Sequence, residues 1–494
     1  MYYLGIDLGT SAVKAILMSA GGAIVRQASC AYPISYPQAG WSEQNPEDWW
    51  QGCVRAIRET CTGVDPASVR GIAVSGQMHG LVTLDAENHV VRPAILWNDG
   101  RSEKEVQYLN QTIGKARLIR ETGNIAYAGF TAPKILWMQA HEPDLFAKVR
   151  KILLPKDYIV FRLTGRYATD YSDASGMLLL DVQHKRWSPD MLAICRLREG
   201  MLPQIYESYA VVGSLRPALA EELGLLPSCR VMAGAGDNAG AAIGTATVGN
   251  AACNISLGTS GTLFISSESY QEMSRAELHS FAHADGRYHL MGVILSAASC
   301  SKWWMKHVIE SSDYAREESG FDLAKDDGVY FLPYLMGERS PHNDTAVRGA
   351  FVGLSMSSTR KDMTRAILEG VAFALRDCLE LARSKGLNVR RSKICGGGSR
   401  SEIWKEIVAN VLNLDLEEPE VEEGPSYGAA ILAAVGDGAF PSVQEAVQKL
   451  VSVRRIIRPQ AELVALYDAK YAQYKRLYPM LAPFYRAKAE AKEV

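Results

Sequence analysis

Short runs of apolar and β-branched residues, broken by glycine-rich turns, open the chain at 2–6, 12–18 and 23–30, with DLGT and AGGA as the joints. Alternation of this kind predicts strands, and the joints are too short for crossover helices, so the three form an antiparallel meander. The period then changes. At NPEDWW the pattern predicts a helix, with Asn45 as its cap, Pro46 in its first position and acids in its first turn. Its apolar positions run on through Val54 and Ile57. Strands are predicted again at 70–75 (RGIAVS) and 79–84 (HGLVTL).

The second half repeats the plan. Strands fit 251–257, 262–266 and 287–294, and helical patterns cover 296–310 and 359–384. A strand SKIC, a turn GGGS and another helix follow. Strands interleaved with helices in two similar halves predict an α/β protein built by duplication. The boundary falls near residue 246, by the glycine-rich stretch AGAGDNAGAAIGTATVG. After about residue 465 the chain reads as an amphipathic terminal helix with a frayed, charged end, to which no function is assigned.

One phrase is written twice. With Ile6 set on Ile255, GIDLGTS and NISLGTS share Ile, Leu, Gly, Thr and Ser, while Asp7 falls opposite Ser256. A glycine in such a hairpin permits a positive φ, and the turn amides with the Thr and Ser hydroxyls make a cradle for phosphate oxygens. One such turn alone reads as an ordinary polar hairpin. Two of them can grip one polyphosphate from both sides. The Mg²⁺ of a nucleoside triphosphate keeps several waters and needs only one or two carboxylates, and a second acid would repel the phosphates. Asp7 is therefore expected on the metal side. ICGGGSRSEIW adds a strand, three glycines and a helix start, with Ser399 as a candidate cap, where backbone can approach a flat ligand. It is neither a Walker loop nor a dinucleotide fingerprint.

Composition narrows the partners. The 494 residues are 47% hydrophobic and 22% charged, with a net charge of -2. Such a chain affords a large core and carries no electrostatic footprint for nucleic acid or an anionic membrane. Nine cysteines without a C-x-x-C pair read as reduced thiols, and the first residues lack a basic n-region, so a cytoplasmic protein is expected. HSFAH places His279 and His283 four apart, a zinc spacing on a helix. The flanking FAHADGRYHLMGV reads as a hairpin, on which that spacing is about 13 Å, so no zinc site is expected.

Together, GIDLGTSAVK, GFTAPKILWM (129–138), AGAGDNAG (233–240), SLGTSG (256–261), GAFVGLSMSSTRKDMTRAILEG (349–370), GGGSRSEIW (396–404) and SYGAAILAAVG (426–436) resemble the FGGY carbohydrate kinases. These lie within the larger actin-like ATPase superfamily, and the resemblance covers nearly the whole chain. It implies two similar actin-like (ribonuclease H-like) α/β domains with a cleft between them. Residues 1–245 would hold the sugar and the catalytic base, and 246–494 the nucleotide. SGQMHG (75–80), AILWNDGR (94–101), LLPKDY (153–158) and YLMGERSPHND (334–344) look most like the members that phosphorylate D-xylulose.

Carried over residue by residue, the resemblance makes Asp237 the catalytic base, with its position near a helix start expected to favour the ionised carboxylate. Met78, His79, Asp99 and Asn238 would contact the sugar, with Arg101 holding Asp99. Thr10, Ser11 and Lys14 would meet the phosphates from one side and Gly258 and Thr259 from the other. Lys14 stands where the family often has Arg, and so offers a point charge in place of a fork. Gly397 and Gly398 would flank adenosine. ATP and Mg²⁺ are the implied cosubstrate and cofactor. A homodimer is common among relatives, with no interface legible here. Kinases of gluconate, ribulose or glycerol are the near alternatives. A non-catalytic actin-like sugar sensor or a chaperone-type ATPase is the distant one, and the acid at Asp237 argues against both.

Overall fold

The computed structural model describes residues 1–421 and 423–490 (489 and 490 by backbone alone) and contains two seven-stranded sheets built to one plan. In the first, Tyr2–Leu8 runs antiparallel to Ala12–Ser19, which runs antiparallel to Ile24–Ala31. Val69–Gly76 lies parallel on the other side of Tyr2–Leu8, followed by Arg230–Met232 and, antiparallel, Val211–Ser214. In the second, Cys253–Leu257 takes the central place, antiparallel to Gly261–Ser267 and parallel to Arg391–Cys395. Tyr288–Ile294 extends one flank, and Asp415–Pro419 and Val453–Ile457 extend the other. The repeated phrase therefore occupies equivalent hairpins, one turning after Leu8 and the other after Leu257.

Local chemistry explains most boundaries. Helix Pro46–Cys61 starts where the Asn45 side chain accepts from Glu47 N, and helix Arg360–Ser384 starts on a capping box between Thr359 and Asp362. Three predictions need correction. The strand predicted over 79–84 is confined to Val82–Leu84, because His79 adopts φ 70° and Gly80 N turns back onto Met78 O. The helix predicted over 296–310 is Ala298–Trp303 followed by a wider turn, Trp304–Val308, in which the Trp304 indole donates to Thr364 Oγ1. The cap of helix Glu402–Leu412 is Ser401, which accepts from Trp404 N. Ser399 lies in the preceding 3-10 turn and donates to Gly396 O.

The two halves are interlocked. Helix Gly424–Gly436 comes from the second half but lies on the first sheet, where a Cβ on Gly5 would sit 2.0 Å from Ser426 O. It also packs on helix Asp237–Gly244: a Cβ on Gly428 would sit 1.9 Å from Gly240 O, and one on Gly244 2.1 Å from Gly424 O. Only glycine allows backbones this close. The terminal helix, Ala461–Glu490, docks on Arg360–Ser384, with Tyr467 and Lys470 both bonded to Glu369. The charged end expected beyond residue 490 lies outside the described residues. Among the described residues, no helix is long and apolar enough to cross a membrane.

Candidate active site

Three parallel strands end together in the first sheet. Their register sets Leu8 beside Gly76 and Gly76 beside Gly236, so Asp7 and Asp237 both emerge at the carboxyl edge of the sheet, where ligands of α/β folds gather. Asp237 opens helix Asp237–Gly244. Its Oδ1 accepts from Asn238 N (2.7 Å) and Asn238 Nδ2 (2.9 Å), which leaves Oδ2 free of protein partners among the described residues. Burial pushes its carboxyl up to about 6 against the downward pull of those two bonds. The helix start thus does not by itself hold the group ionised; desolvation outweighs it. A carboxylate that titrates near neutrality is a usable proton acceptor.

Asp7 is deeper. Its Oδ1 is buried with no hydrogen-bond partner among the described residues. Burial, then the charges of Asp237 and Glu423, raise its carboxyl to about 7, with Lys14 pulling the other way. An orphaned anionic oxygen of this kind fits a hard cation. Lys14, its cross-strand neighbour, is tied to Glu423, at the head of helix Gly424–Gly436, in an ion pair that bridges the two halves.

The residues expected on the sugar side are held from behind. Met78 is buried against Gly236, and His79 Nδ1 lies 2.8 Å from Gly176 O, with its ring stacked on Phe130. Burial lowers the His79 imidazole to about 3, so it is neutral. A carbonyl only accepts, so Nδ1 carries the proton and Nε2 remains an acceptor. The His79 carbonyl takes bonds from Thr131 Oγ1 and from Lys134 Nζ, a buried amine that burial lowers to about 7 and that also reaches Gly129 O. Asp99 is committed: Oδ1 accepts from Arg101 N and Nε, and Oδ2 from Ser42 N and Arg101 Nη2. It braces its loop, and a sugar hydroxyl reaches it only by displacing one of these partners.

The residues expected on the nucleotide side divide between the hairpins and a cavity. Thr10 Oγ1 accepts from the Trp97 indole at 3.0 Å, and Ser11 is exposed. The turn at Gly258 and Thr259 is anchored by its carbonyls to the start of helix Ala298–Trp303. Gly397 and Gly398 line a cavity of about 720 Å³, together with Lys302, Tyr314, Glu318 and Arg400. A Cβ on Gly398 would lie 2.8 Å from both Leu257 and Trp404, whereas one on Gly397 would meet nothing. The Gly397 position is thus open and the Gly398 position closed.

Sequence reasoning did not single out Lys134, Glu423 or the buried Lys156 as site residues. GFTAPKILWM and LLPKDY carry two of them, but a lysine in a motif does not disclose that its amino group is buried.

Comparison with known proteins shows the family. The sequence patterns of the N-terminal and C-terminal domains of the FGGY family of carbohydrate kinases match residues 2–244 and 253–436. The chain is 40% identical to the xylulose kinase of Escherichia coli (strain K12) across 97% of its own length and 99% of the other. It superposes on the "xyloylose kinase" of Brucella ovis with a TM-score of 0.92 at 41% identity, covering 98% of this chain and 100% of that one. The gluconate kinase of Lactobacillus acidophilus superposes equally well, with a TM-score of 0.93, but at 25% identity over 98% and 99% of the two chains.

Proposed function

The chain belongs to the FGGY family of carbohydrate kinases, and from that membership we propose that it transfers the γ-phosphoryl group of ATP to D-xylulose, giving ADP and D-xylulose 5-phosphate. The observation that carries the reaction is the pairing of two carboxyls, Asp7 and Asp237, at one sheet edge, each with an oxygen that has no hydrogen-bond partner among the described residues. The choice of sugar rests on the whole-length similarity to xylulose kinases. The gluconate kinase has the same fold at lower identity, so fold alone does not select the substrate.

In this reading the sugar lies on the first half, between Met78, His79 and Asn238. His79 Nε2 accepts from one hydroxyl, and Asp237 Oδ2 receives the proton of the 5-hydroxyl as its oxygen bonds to the γ-phosphorus. The bond from that phosphorus to the β-phosphate oxygen breaks, and ADP leaves. Because the transition state is loose and the proton moves late, a weak, well-aimed base is enough. The amides at Thr10 and Ser11 and those at Gly258 and Thr259 hold the triphosphate from its two sides, with adenosine against Gly397 and Gly398. Lys14 joins the phosphates by releasing Glu423. Asp7 fits a Mg²⁺ ion, which when bound neutralises charge on the phosphates. The close-packed helices Asp237–Gly244 and Gly424–Gly436 flank the hinge about which the halves close, so that sugar and not water is phosphorylated. Nine unpaired thiols suit a cytoplasmic enzyme.

The test is ADP release with Mg-ATP over D-xylulose, ribulose, gluconate and glycerol. D-Xylulose should have the highest kcat/KM by about tenfold or more. A higher value for gluconate or glycerol replaces the sugar, and sugar-independent ATP hydrolysis replaces the reaction.

A further inference from the structure

Directly behind Asp237 lies a set of charges that phosphoryl transfer does not use. Lys156, Asp157, Asp170 and Asp173 are each 0% exposed. Lys156 Nζ is 2.7 Å from Asp157 Oδ1, 3.0 Å from Asp170 Oδ1 and 3.7 Å from Asp173 Oδ2. Burial holds the Asp173 carboxyl well above the usual carboxylate range, which eases the excess of acids around one cation. Buried ions of this kind are a poor way to gain stability, since apolar packing often does as well. Their geometry points elsewhere.

Asp170 Oδ2 gathers three donors: Ser172 N (2.8 Å), Ser172 Oγ (2.5 Å) and Ser208 Oγ (2.7 Å). Ser172 Oγ has one proton, and it goes to Asp170. Its lone pair then faces Gly236 N, which donates to it at 3.1 Å. Gly236 is the residue before Asp237 and the cap of its helix. Its other sides are closed as well: a Cβ there would lie 3.0 Å from Met78 Cγ, and its strand partner Gly76 packs on the Lys156 stem.

We propose that Lys156, Asp170 and Ser172 are positioning residues for Asp237. The ammonium fixes the Asp170 carboxylate, the carboxylate fixes the direction of the Ser172 hydroxyl, and the hydroxyl pins the peptide that aims the Asp237 carboxylate at the acceptor hydroxyl. This rests on Asp237 being the base. Placement of a reacting group within a fraction of an ångström is worth one to two decades of rate, so the chain acts on turnover and not on affinity.

The experiment compares Ser172→Ala, Ser208→Ala, Asp237→Asn and the double variant Ser172→Ala/Asp237→Asn. Ser172→Ala should lower kcat about tenfold, with KM for xylulose and for Mg-ATP within about twofold of wild type. Ser208→Ala removes the sister hydroxyl from the same Asp170 oxygen. It should lower Tm about as much as Ser172→Ala does and leave kcat unchanged. In the Asp237→Asn background, Ser172→Ala should cause no further loss, because it acts through the missing base. Should Ser172→Ala not fold, Ser172→Cys, of similar size and with a poor acceptor, carries the same expectation. Wild-type kcat in the Ser172 variant, or an equal loss with and without Asp237, overturns the positioning role alone. Wild-type turnover in Asp237→Asn overturns the base assignment and the positioning role with it.

Discussion

Replacing Asp237 by Asn exchanges one oxygen for an NH2 group of nearly the same size, and it should make the ligand-free protein more stable while disabling it. In the folded chain burial raises this carboxyl from 3.8 to about 6. At about 1.4 kcal/mol per unit, that is a ceiling of about 3 kcal/mol, and water in an open cleft with local relaxation reduces it to about 1 to 2 kcal/mol. The sign follows from the direction of the shift. Below about pH 4 the carboxyl is protonated whether folded or unfolded, so the contribution is fully present and acid and amide stand level. It is lost as pH rises through about 6, where the folded state must hold an anion that the site disfavours. The amide never carries that charge, and its oxygen still accepts from Asn238 N and Nδ2. Melts in EDTA without nucleotide should therefore place the variant a few degrees above wild type at pH 8 and level with it near pH 4. Turnover should fall by about 10² to 10⁴, and sugar affinity should hold within a few-fold. A variant melting below wild type at pH 8, or one that keeps its turnover, would show that Asp237 is not a strained base.

Three further changes probe other parts of the site. Asp7→Ala should raise the Mg²⁺ needed for half-maximal rate, or abolish turnover, with xylulose affinity in equilibrium binding nearly unchanged; an unaltered Mg²⁺ requirement assigns Asp7 to structure. Thr259→Val and Thr10→Val should each weaken Mg-ATP binding or raise the barrier by about 1 to 3 kcal/mol, and the double variant should be non-additive. Strict additivity without loss of nucleotide affinity reduces the repeated phrase to a folding hairpin. Gly428→Ala places a methyl 1.9 Å from Gly240 O, so the paired helices must separate. A loss of about 1 to 3 kcal/mol in chemical denaturation, with kcat and KM both altered, is expected, and wild-type values would exclude these helices from the hinge.

Much of the architecture could be read from local pattern. The meander, the Asn45 cap, the long helix after Thr359 and the equivalence of the two cradles all follow from signals spanning a few residues. What escaped reading depends on space. The αL backbone of His79 breaks a strand that its neighbours support, and it is held by Lys134 and Gly176, far away along the chain. Ser399 and Ser401 are equally good caps by composition, and only the 3-10 turn decides between them. Arg101 beside Asp99 is legible in WNDGR, but that Ser42 joins it and both carboxylate oxygens are filled is not. Lys156 is one letter in LLPKDY. Its partners at Asp170 and Asp173, and the thread through Ser172 to Gly236, exist only once the chain has folded.

Helix Gly424–Gly436 has a bearing on how the molecule is made. The first sheet is complete in its strands once the ribosome has passed residue 236, yet one of its faces, around Tyr3, Ile16 and Ala73, is covered by Tyr427, Ala430 and Ile431. Until those residues emerge, nearly two hundred positions later, an apolar surface with a glycine notch at Gly5 stands bare. Such long-range closure slows folding and exposes the nascent chain to aggregation. A truncated product ending before residue 424 should therefore be a client of chaperones and not an independent half-enzyme, and supplying the missing segment as a separate polypeptide should rescue its solubility.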